Sequence, residues 1–153
     1  MELRPASLDN LGLLPALRSH FARYTKNTGV RVHFSTQGMD RRFASDLETT
    51  VYRVVQEAMT NVAKHAGVGE TWVAAEAAND QLSIRITDKG AGIQPSSADL
   101  ERPAAGVIGM RERALAAGGK LRIESAPDGG TSVVLTIPLP QEPNPAGNPV
   151  TPD

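Results

Sequence analysis

One stretch of the chain carries four side chains suited to metal and phosphate chemistry at helical spacing: Glu57, Asn61, Lys64 and His65. At about 100° per residue, positions i, i+4, i+7 and i+8 share one narrow stripe of a helix. An apolar stripe over residues 47–66 is centred roughly 110° away, so the polar stripe borders the buried face. Such a border is typical of a helix that lines a pocket, although periodicity alone favours a solvated helix flank.

A second motif, Asp88, Gly90 and Gly92, follows an apolar stretch that predicts a strand. Glycines at a strand end allow the backbone to approach a ligand closely. Taken alone, the motif is more typical of an Asp–Gly turn than of a binding site. It is not a dinucleotide fingerprint, because Pro95 stands where the third glycine would be needed.

Two further glycine motifs come later in the chain. Gly106 and Gly109 open a predicted helix, whose free N–H groups and positive dipole end favour phosphate. A glycine needed for packing at this junction explains them equally well. Residues 129–131, Gly-Gly-Thr, form a hairpin turn before the last strand. No P-loop is present, since Gly119-Lys120 is followed by Leu121.

The elements that must position these residues follow from hydrophobic periodicity. Helices are predicted over residues 7–27, 43–66 and 107–117, and strands over 30–34, 71–77, 82–87, 121–125 and 132–137. Strands joined by tight turns pair antiparallel. We therefore predict an α+β fold, a two-layer α/β sandwich. Its mixed, largely antiparallel sheet of about five strands is covered on one face by three helices.

Composition narrows the function classes. The 153 residues suit one domain, and the net charge of −1 gives no basic excess for nucleic acid or an anionic membrane. The absence of cysteine excludes disulfides and thiolate metal sites, and it suits a reducing cytoplasm. No apolar run approaches the roughly 20 residues that span a bilayer.

The four motifs, in this order, resemble the catalytic ATP-binding domain of bacterial sensor histidine kinases. That domain has the Bergerat-type fold shared with gyrase, the Hsp90 chaperones and the mismatch-repair protein MutL. Residues 55–66 resemble its N box, 88–92 its G1 box, 106–110 its G2 box and 129–131 its final glycine motif. Residues 109–114 resemble one subfamily, which usually serves response regulators with a helix-turn-helix output domain.

The resemblance also implies a division of the chain. Residues 8–13 resemble the subfamily's link between dimerisation and catalytic domains. We therefore expect a linker over 1–12, the ATP-binding domain over 13–140 and a disordered tail over 141–153, which is rich in Pro, Gly and Asn.

The resemblance implies ATP and Mg²⁺ as cofactors and gives the residues roles. Asn61 would ligate Mg²⁺, while Glu57 would orient a metal-bound water or act as a base. Asp88 would accept a hydrogen bond from the adenine amino group and so select ATP over GTP. Residues 93–105 would form a mobile lid. The other implied nucleotide contacts are Lys64, His65, Gly90, Gly92, Ile93, Gly106, Val107, Gly109, Met110 and Thr131.

Two departures from the family pattern stand out. Lys89 occupies a position where the family often has Asp or Asn. The acceptor histidine, which lies in a His-Asp or His-Glu context, is missing, because Phe follows His20 and His33 and Ala follows His65. We expect His20 on a helix surface and His33 in a strand, with neither of them an acceptor.

The missing acceptor predicts that the chain is part of a larger kinase. We expect this fragment to be monomeric and the full-length protein to be a homodimer that includes a dimerisation domain, and a membrane anchor in the full-length protein is compatible with this expectation. Two alternatives remain: a stand-alone serine kinase or anti-sigma factor of the same fold, and a degenerate, non-catalytic interaction module. Nucleotide titration separates the last from the others.

Overall fold

The computed structural model of the chain describes residues 6–90, 105–125 and 130–140. Within these ranges the elements follow one another as helices, strands and one π-helical segment. In chain order they are α1 (Ala6–Leu11), α2 (Leu13–Thr28), β1 (Arg31–Gln37), α3 (Ser45–Asn61), the π segment (Val62–Ala66), β2 (Glu70–Ala78), β3 (Gln81–Asp88), α4 (Ala105–Ala116), β4 (Lys120–Ser125) and β5 (Thr131–Pro138).

The five described strands form one sheet in the order β1-β2-β3-β5-β4. β1 and β2 are parallel, and the remaining neighbours are antiparallel. A parallel pair needs a long crossover, and here α3 and the π segment provide it. The prediction of a mixed, largely antiparallel sheet is therefore confirmed.

The core lies between one face of this sheet and the helices α2, α3 and α4. Alternate side chains of β3, among them Leu82, Ile84 and Ile86, are buried, as expected for a strand with one covered face. Val55 and Met59 of α3 are buried in the same cluster. Each such side chain contributes about 1.5–3 kcal/mol when fully buried, so this layer fixes the position of β3 relative to α3.

The first predicted helix, over residues 7–27, is two helices in the structure. Gly12 breaks it with φ of +94°, a conformation that other residues rarely adopt. Leu8 and Leu13, on either side of the break, are fully buried. α2 then ends at Gly29, a left-handed cap whose N–H donates to the Thr25 carbonyl at 2.8 Å.

The long predicted helix, over residues 43–66, changes its hydrogen-bonding pattern after Asn61. α3 ends there, and the π segment continues to Ala66 before Gly67 closes it with φ of +64°. A π segment bonds i to i+5 and is rare, and it occurs often at functional sites. The 100° spacing that placed four polar residues on one stripe therefore applies to Glu57 and Asn61, but not to Lys64 and His65.

Other predicted boundaries moved by a few residues. β1 extends to Gln37 because it pairs along its whole length with β2. α4 begins at Ala105, so Gly109 lies inside the helix rather than at its entry. The predicted loop over 93–105, apart from Ala105, and the predicted tail over 141–153 lie outside the described residues, as do residues 127–129 of the last predicted hairpin.

Candidate functional site

Asp88 is the last residue of β3 and faces the helix layer. The alternation that buries Leu82, Ile84 and Ile86 continues to Asp88, which is 7% exposed. Its Oδ1 accepts a hydrogen bond from the Gly90 N–H at 2.9 Å. A carboxylate that is buried at a strand end and held by the next turn is preorganised to accept hydrogen bonds from a ligand.

The strands beside Asp88 are packed closely around it. Thr131 of β5 is its partner across the sheet and is buried, and Thr71 of β2 is its partner on the other side. Thr71 donates its hydroxyl to the Thr87 carbonyl at 2.8 Å. Gly130 has φ of +94°, and a Cβ there would lie 2.5 Å from the Asp88 carbonyl oxygen. The glycine before Thr131 is thus required by the close approach of the two strands.

The polar residues of α3 lie at the edge of the helix layer. Glu57 and Asn61, one turn apart, are half-buried. Lys64 of the π segment is exposed, and the backbone of His65 belongs to the same segment, while its side chain lies outside the described part of the structure. Glu57 and Asn61 therefore present oxygen atoms from one face of the helix.

α4 meets α3 at Glu57. A Cβ built on Gly106 would overlap the Glu57 carboxyl group and would lie 2.8 Å from its Cδ. Real Cβ atoms do not come this close, so the Glu57 side chain would have to shift to admit any larger residue at position 106. The structure therefore brings together the N box and the G2 box, which are separated by about 50 positions in the sequence.

The other residues of the G2 box point in different directions. A Cβ on Gly109 would meet no protein atom within 4 Å among the described residues, so protein packing does not explain this glycine. Val107 is half-buried against the core, and Met110 is fully buried in it. The remaining predicted nucleotide contacts Gly92 and Ile93 lie outside the described residues.

Tyr24 of α2 is buried against the end of α3. Its hydroxyl donates to the Met59 carbonyl of α3 at 2.8 Å. Burial, the larger cause, and the negative charge of Asp88 together raise the pKa of Tyr24 to about 12. Asp88 and the end of α3 thus share one buried neighbourhood.

The arrangement fits a metal ion that takes most of its ligands from phosphate and water. Among the described residues no group of three or more His, Cys, Asp or Glu side chains could hold a metal by itself. Glu57 and Asn61 supply hard oxygen donors on one helix face, and Mg²⁺ is usually bound by one or two such groups together with substrate phosphates and waters.

His20 lies deeper than the sequence indicated. We expected a helix-surface residue, but its ring packs against Tyr24 and Tyr52, with centroids 6.3 and 5.7 Å away. Burial lowers the pKa of His20, and the nearby charge of Arg23 lowers it further. His33 lies in β1 as predicted and bonds Glu70 at 2.8 Å. That neither histidine is the phosphoacceptor stays a prediction.

Comparison with known proteins identifies the family. The model of the histidine kinase-, DNA gyrase B- and HSP90-like ATPases matches residues 46–141. The chain belongs to this ATPase family. The oxygen sensor histidine kinase NreB of Staphylococcus carnosus (strain TM300) is 39% identical over 139 residues, which is 91% of this chain and 40% of that protein. The chain thus corresponds to less than half of this relative.

Solved structures of histidine kinases share the fold. The histidine kinase domain of the blue-light activated kinase of Erythrobacter litoralis EL346 superposes with a TM-score of 0.65 at 22% identity, covering 80% of this chain and 63% of that one. The histidine kinase AdeS of Acinetobacter baumannii gives 0.65 at 14% identity, covering 89% and 74%. The predicted fold class is confirmed. No helix within the described ranges has the length and apolar character needed to cross a membrane.

Proposed function

We propose that this chain is the ATP-binding catalytic part of a sensor histidine kinase and donates the γ-phosphate of ATP to a histidine on a separate dimerisation domain. The observation that carries the proposal is the contact between Glu57 and Gly106. It joins the oxygen-bearing face of α3 to the N-terminal turn of α4, where N–H groups favour phosphate. The similarity to NreB supports a histidine kinase over a serine kinase of the same fold.

In this proposal the base is bound at the end of β3. The Asp88 carboxylate, whose Oδ1 already accepts from Gly90, takes a further hydrogen bond from the adenine amino group. Guanine carries a carbonyl at that position, and two acceptors repel one another, so the site selects ATP over GTP. Thr131, beside Asp88 in the sheet, supports it through water, and Gly90, Gly92 and Ile93 pass close to the base.

The phosphates and the metal are bound at the other end of the site. Asn61 is the protein ligand to Mg²⁺, and Glu57 orients a metal-bound water or acts as a base. Phosphoryl transfer needs positioning and charge neutralisation more than covalent help from the protein. The remaining contacts come from Lys64, His65, Gly106, Val107, Gly109 and Met110.

The partners in this proposal follow from the missing acceptor. We infer a homodimeric, longer protein that contributes the phosphoacceptor domain, and a response regulator with a helix-turn-helix output domain downstream. The catalytic part works in the cytoplasm, where ATP is supplied.

The metal role of Asn61 is tested by Asn61→Ala. The substitution should weaken ATP binding in the presence of Mg²⁺ more than binding with the metal chelated, because the amide oxygen is the proposed protein ligand to the ion. Isothermal titration under both conditions measures the difference. Thr60→Ala, at an exposed neighbour whose hydroxyl donates to the Gln56 carbonyl of its own helix, is the matched control. Equal weakening with and without metal would show that Asn61 does not bind the ion.

The transfer reaction is tested with labelled ATP. The chain alone should stay unlabelled, and an added dimerisation domain from a kinase of this subfamily should become labelled on histidine. Stoichiometric acid-labile phosphate on His20, His33 or His65 would contradict the proposal.

A further inference from the structure

Glu48, in the first turn of α3, is a fully buried carboxylate. A buried charge is costly unless it is paired and hydrogen-bonded. Its partner is Arg42, whose Nε and Nη2 donate to the two carboxylate oxygens, each at 3.2 Å, and the Phe43 N–H donates to Oε2 at 3.2 Å. A two-pronged guanidinium–carboxylate pair fixes geometry as well as charge.

Arg42 is also bound to α1. Its Nη2 donates to the Asp9 carbonyl at 3.3 Å and lies 3.5 Å from the Leu8 carbonyl, both in the last turn of α1. The final carbonyls of a helix lack partners within the helix, and a cation is favourable there. Arg42 thus links the end of α1 to the beginning of α3.

Gly12 makes room for this link. A Cβ on Gly12 would lie 2.7 Å from Cδ of Arg42, and its φ of +94° sets the turn from α1 into α2. Leu8 is fully buried beside it, so α1 is anchored by its side chain as well as by its carbonyls. The break in the first predicted helix and the buried Glu48 are therefore parts of one contact.

We infer that Arg42 is a positioning residue that couples α1 to the nucleotide-binding helix α3. The inference rests on the proposed function together with the predicted linker over residues 1–12, which includes α1 and would join the catalytic part to the dimerisation domain. Because the same guanidinium bonds α1 and Glu48, α1 cannot shift without pulling on the first turn of α3 or breaking the pair between Arg42 and Glu48. A movement delivered to α1 thus reaches the helix that carries Glu57 and Asn61.

Coupling of this kind is reciprocal: if α1 docking favours nucleotide binding, nucleotide must favour α1 docking by the same factor. Hydrogen–deuterium exchange of the chain, with and without a non-hydrolysable ATP analogue and Mg²⁺, measures the effect of nucleotide on both α1 and α3. In the wild type, the analogue should slow exchange at the Gly12 amide, which donates to the Leu8 carbonyl at 3.1 Å.

The main variant is the double substitution Arg42→Ala with Glu48→Gln. Glutamine keeps an acceptor for the Phe43 N–H and removes the buried charge that faces Arg42, so we expect the fold to be retained. Exchange should accelerate together in residues 8–12 and in the first turns of α3. Nucleotide affinity should fall roughly fivefold, which is the lower end of typical coupling between sites. The analogue should no longer slow exchange in α1. Arg42→Lys keeps the charge without the two-pronged bond and should give an intermediate result.

Arg85→Ala is the matched control, since it removes an ion pair of 3.3 Å with Glu124 on the opposite face of the sheet. It should change neither α1 exchange nor nucleotide affinity. Accelerated exchange in α1 alone, with α3 exchange and nucleotide affinity unchanged, would overturn the coupling. If neither the wild type nor any variant binds nucleotide, the proposed function fails. The coupling is then still tested by hydrogen exchange in the nucleotide-free protein: faster exchange of α1 and α3 together supports it, and faster exchange of α1 alone contradicts it.

Discussion

Asp88 and Lys89 are neighbours in the sequence but lie on opposite faces of the sheet. Asp88 faces the helix layer, is nearly buried and bonds the Gly90 N–H. Lys89 is exposed on the other face, which we call the open face, where its Nζ lies 4.9 Å from the ring centroid of Trp72. Trp72 in turn stacks on His33 at 5.3 Å. One step along the chain therefore separates a buried carboxylate from a surface cation.

The comparison explains why Lys89 is compatible with a nucleotide site. Side chains alternate between the faces of a strand and of the turn that continues it, so a residue type at position 89 changes the open face rather than the pocket. The open face has charges of both signs. Glu70 lies near the positive charges of Arg31 and Lys89 and shares a hydrogen bond with His33. This hydrogen bond is the largest cause of the lowered pKa of Glu70. What differs between the two faces is burial: charge on the site side is held by fixed donors, and charge on the open face is solvated.

The contrast between the site side and the open face is tested most directly by substituting Asp88. Asp88→Ala should weaken ATP binding by roughly 10- to 150-fold, because it removes a charge-assisted hydrogen bond of about 1.5–3 kcal/mol. The preference for ATP over GTP should shrink as well. Isothermal titration with both nucleotides measures the change.

Asp88→Asn is the control for the fold, since its amide oxygen can still accept from the Gly90 N–H while the charge is lost. A folded Asp88→Ala protein with unchanged ATP affinity and selectivity would show that the adenine is not bound at this carboxylate, and the site side would then be no more functional than the open face.

Gly106 tests whether the contact between α4 and α3 is needed on the site side. Gly106→Ala would force the Glu57 carboxyl group to move, and because this group is the far end of a flexible side chain, the free energy of unfolding measured in urea should change little. We expect weaker Mg²⁺-dependent ATP binding, because the carboxyl group is displaced from the metal side of the proposed site. The double variant with Glu57→Ala should bind ATP no better than Gly106→Ala; recovered binding would remove Glu57 from the mechanism.

Gly109 is the matched position on the same helix. A Cβ there meets no described atom within 4 Å, and alanine in a helix interior is favoured over glycine by about 0.5–1 kcal/mol. Gly109→Ala should therefore stabilise the nucleotide-free protein and weaken nucleotide binding, since the space is proposed to hold phosphate. A stabilised variant that binds nucleotide with wild-type affinity would show that the phosphates do not lie against Gly109.

The sequence was sufficient to predict the elements, the class of fold and the membership in an ATPase family, because hydrophobic periodicity and motif order are local properties. The features it could not predict depend on contacts between distant residues. The break at Gly12 depends on Arg42 approaching from 30 positions away, and a single glycine inside an apolar pattern is no reliable stop signal. The apolar spacing of residues 47–66 continues through the π segment, so the spacing does not show the change in hydrogen bonding after Asn61.

The candidate site, too, could be predicted only in part. The sequence predicted Asp88, Glu57 and Asn61 as site residues, and the structure places them at the helix-covered side of the sheet. It did not reveal that Tyr24 shares a buried neighbourhood with Asp88 and α3, since that requires the packing of α2. It also left Lys89 without a partner, because the position of Trp72 beside it depends on the register of β2 against β3.

The smallest expected effect is that of Lys89→Ala. A cation over an exposed aromatic ring contributes about 0.5–1 kcal/mol, so the free energy of unfolding should fall by no more than this. Trp72 is the chain's single tryptophan, so its fluorescence reports the loss of the lysine directly. ATP affinity should remain at the wild-type value, because the side chain lies on the open face. Lys89→Met, which keeps an apolar stem over Trp72 without the charge, separates packing from the cation–π contact. A loss of ATP affinity in both variants would place Lys89 at the nucleotide and would end the distinction between the two faces at this turn.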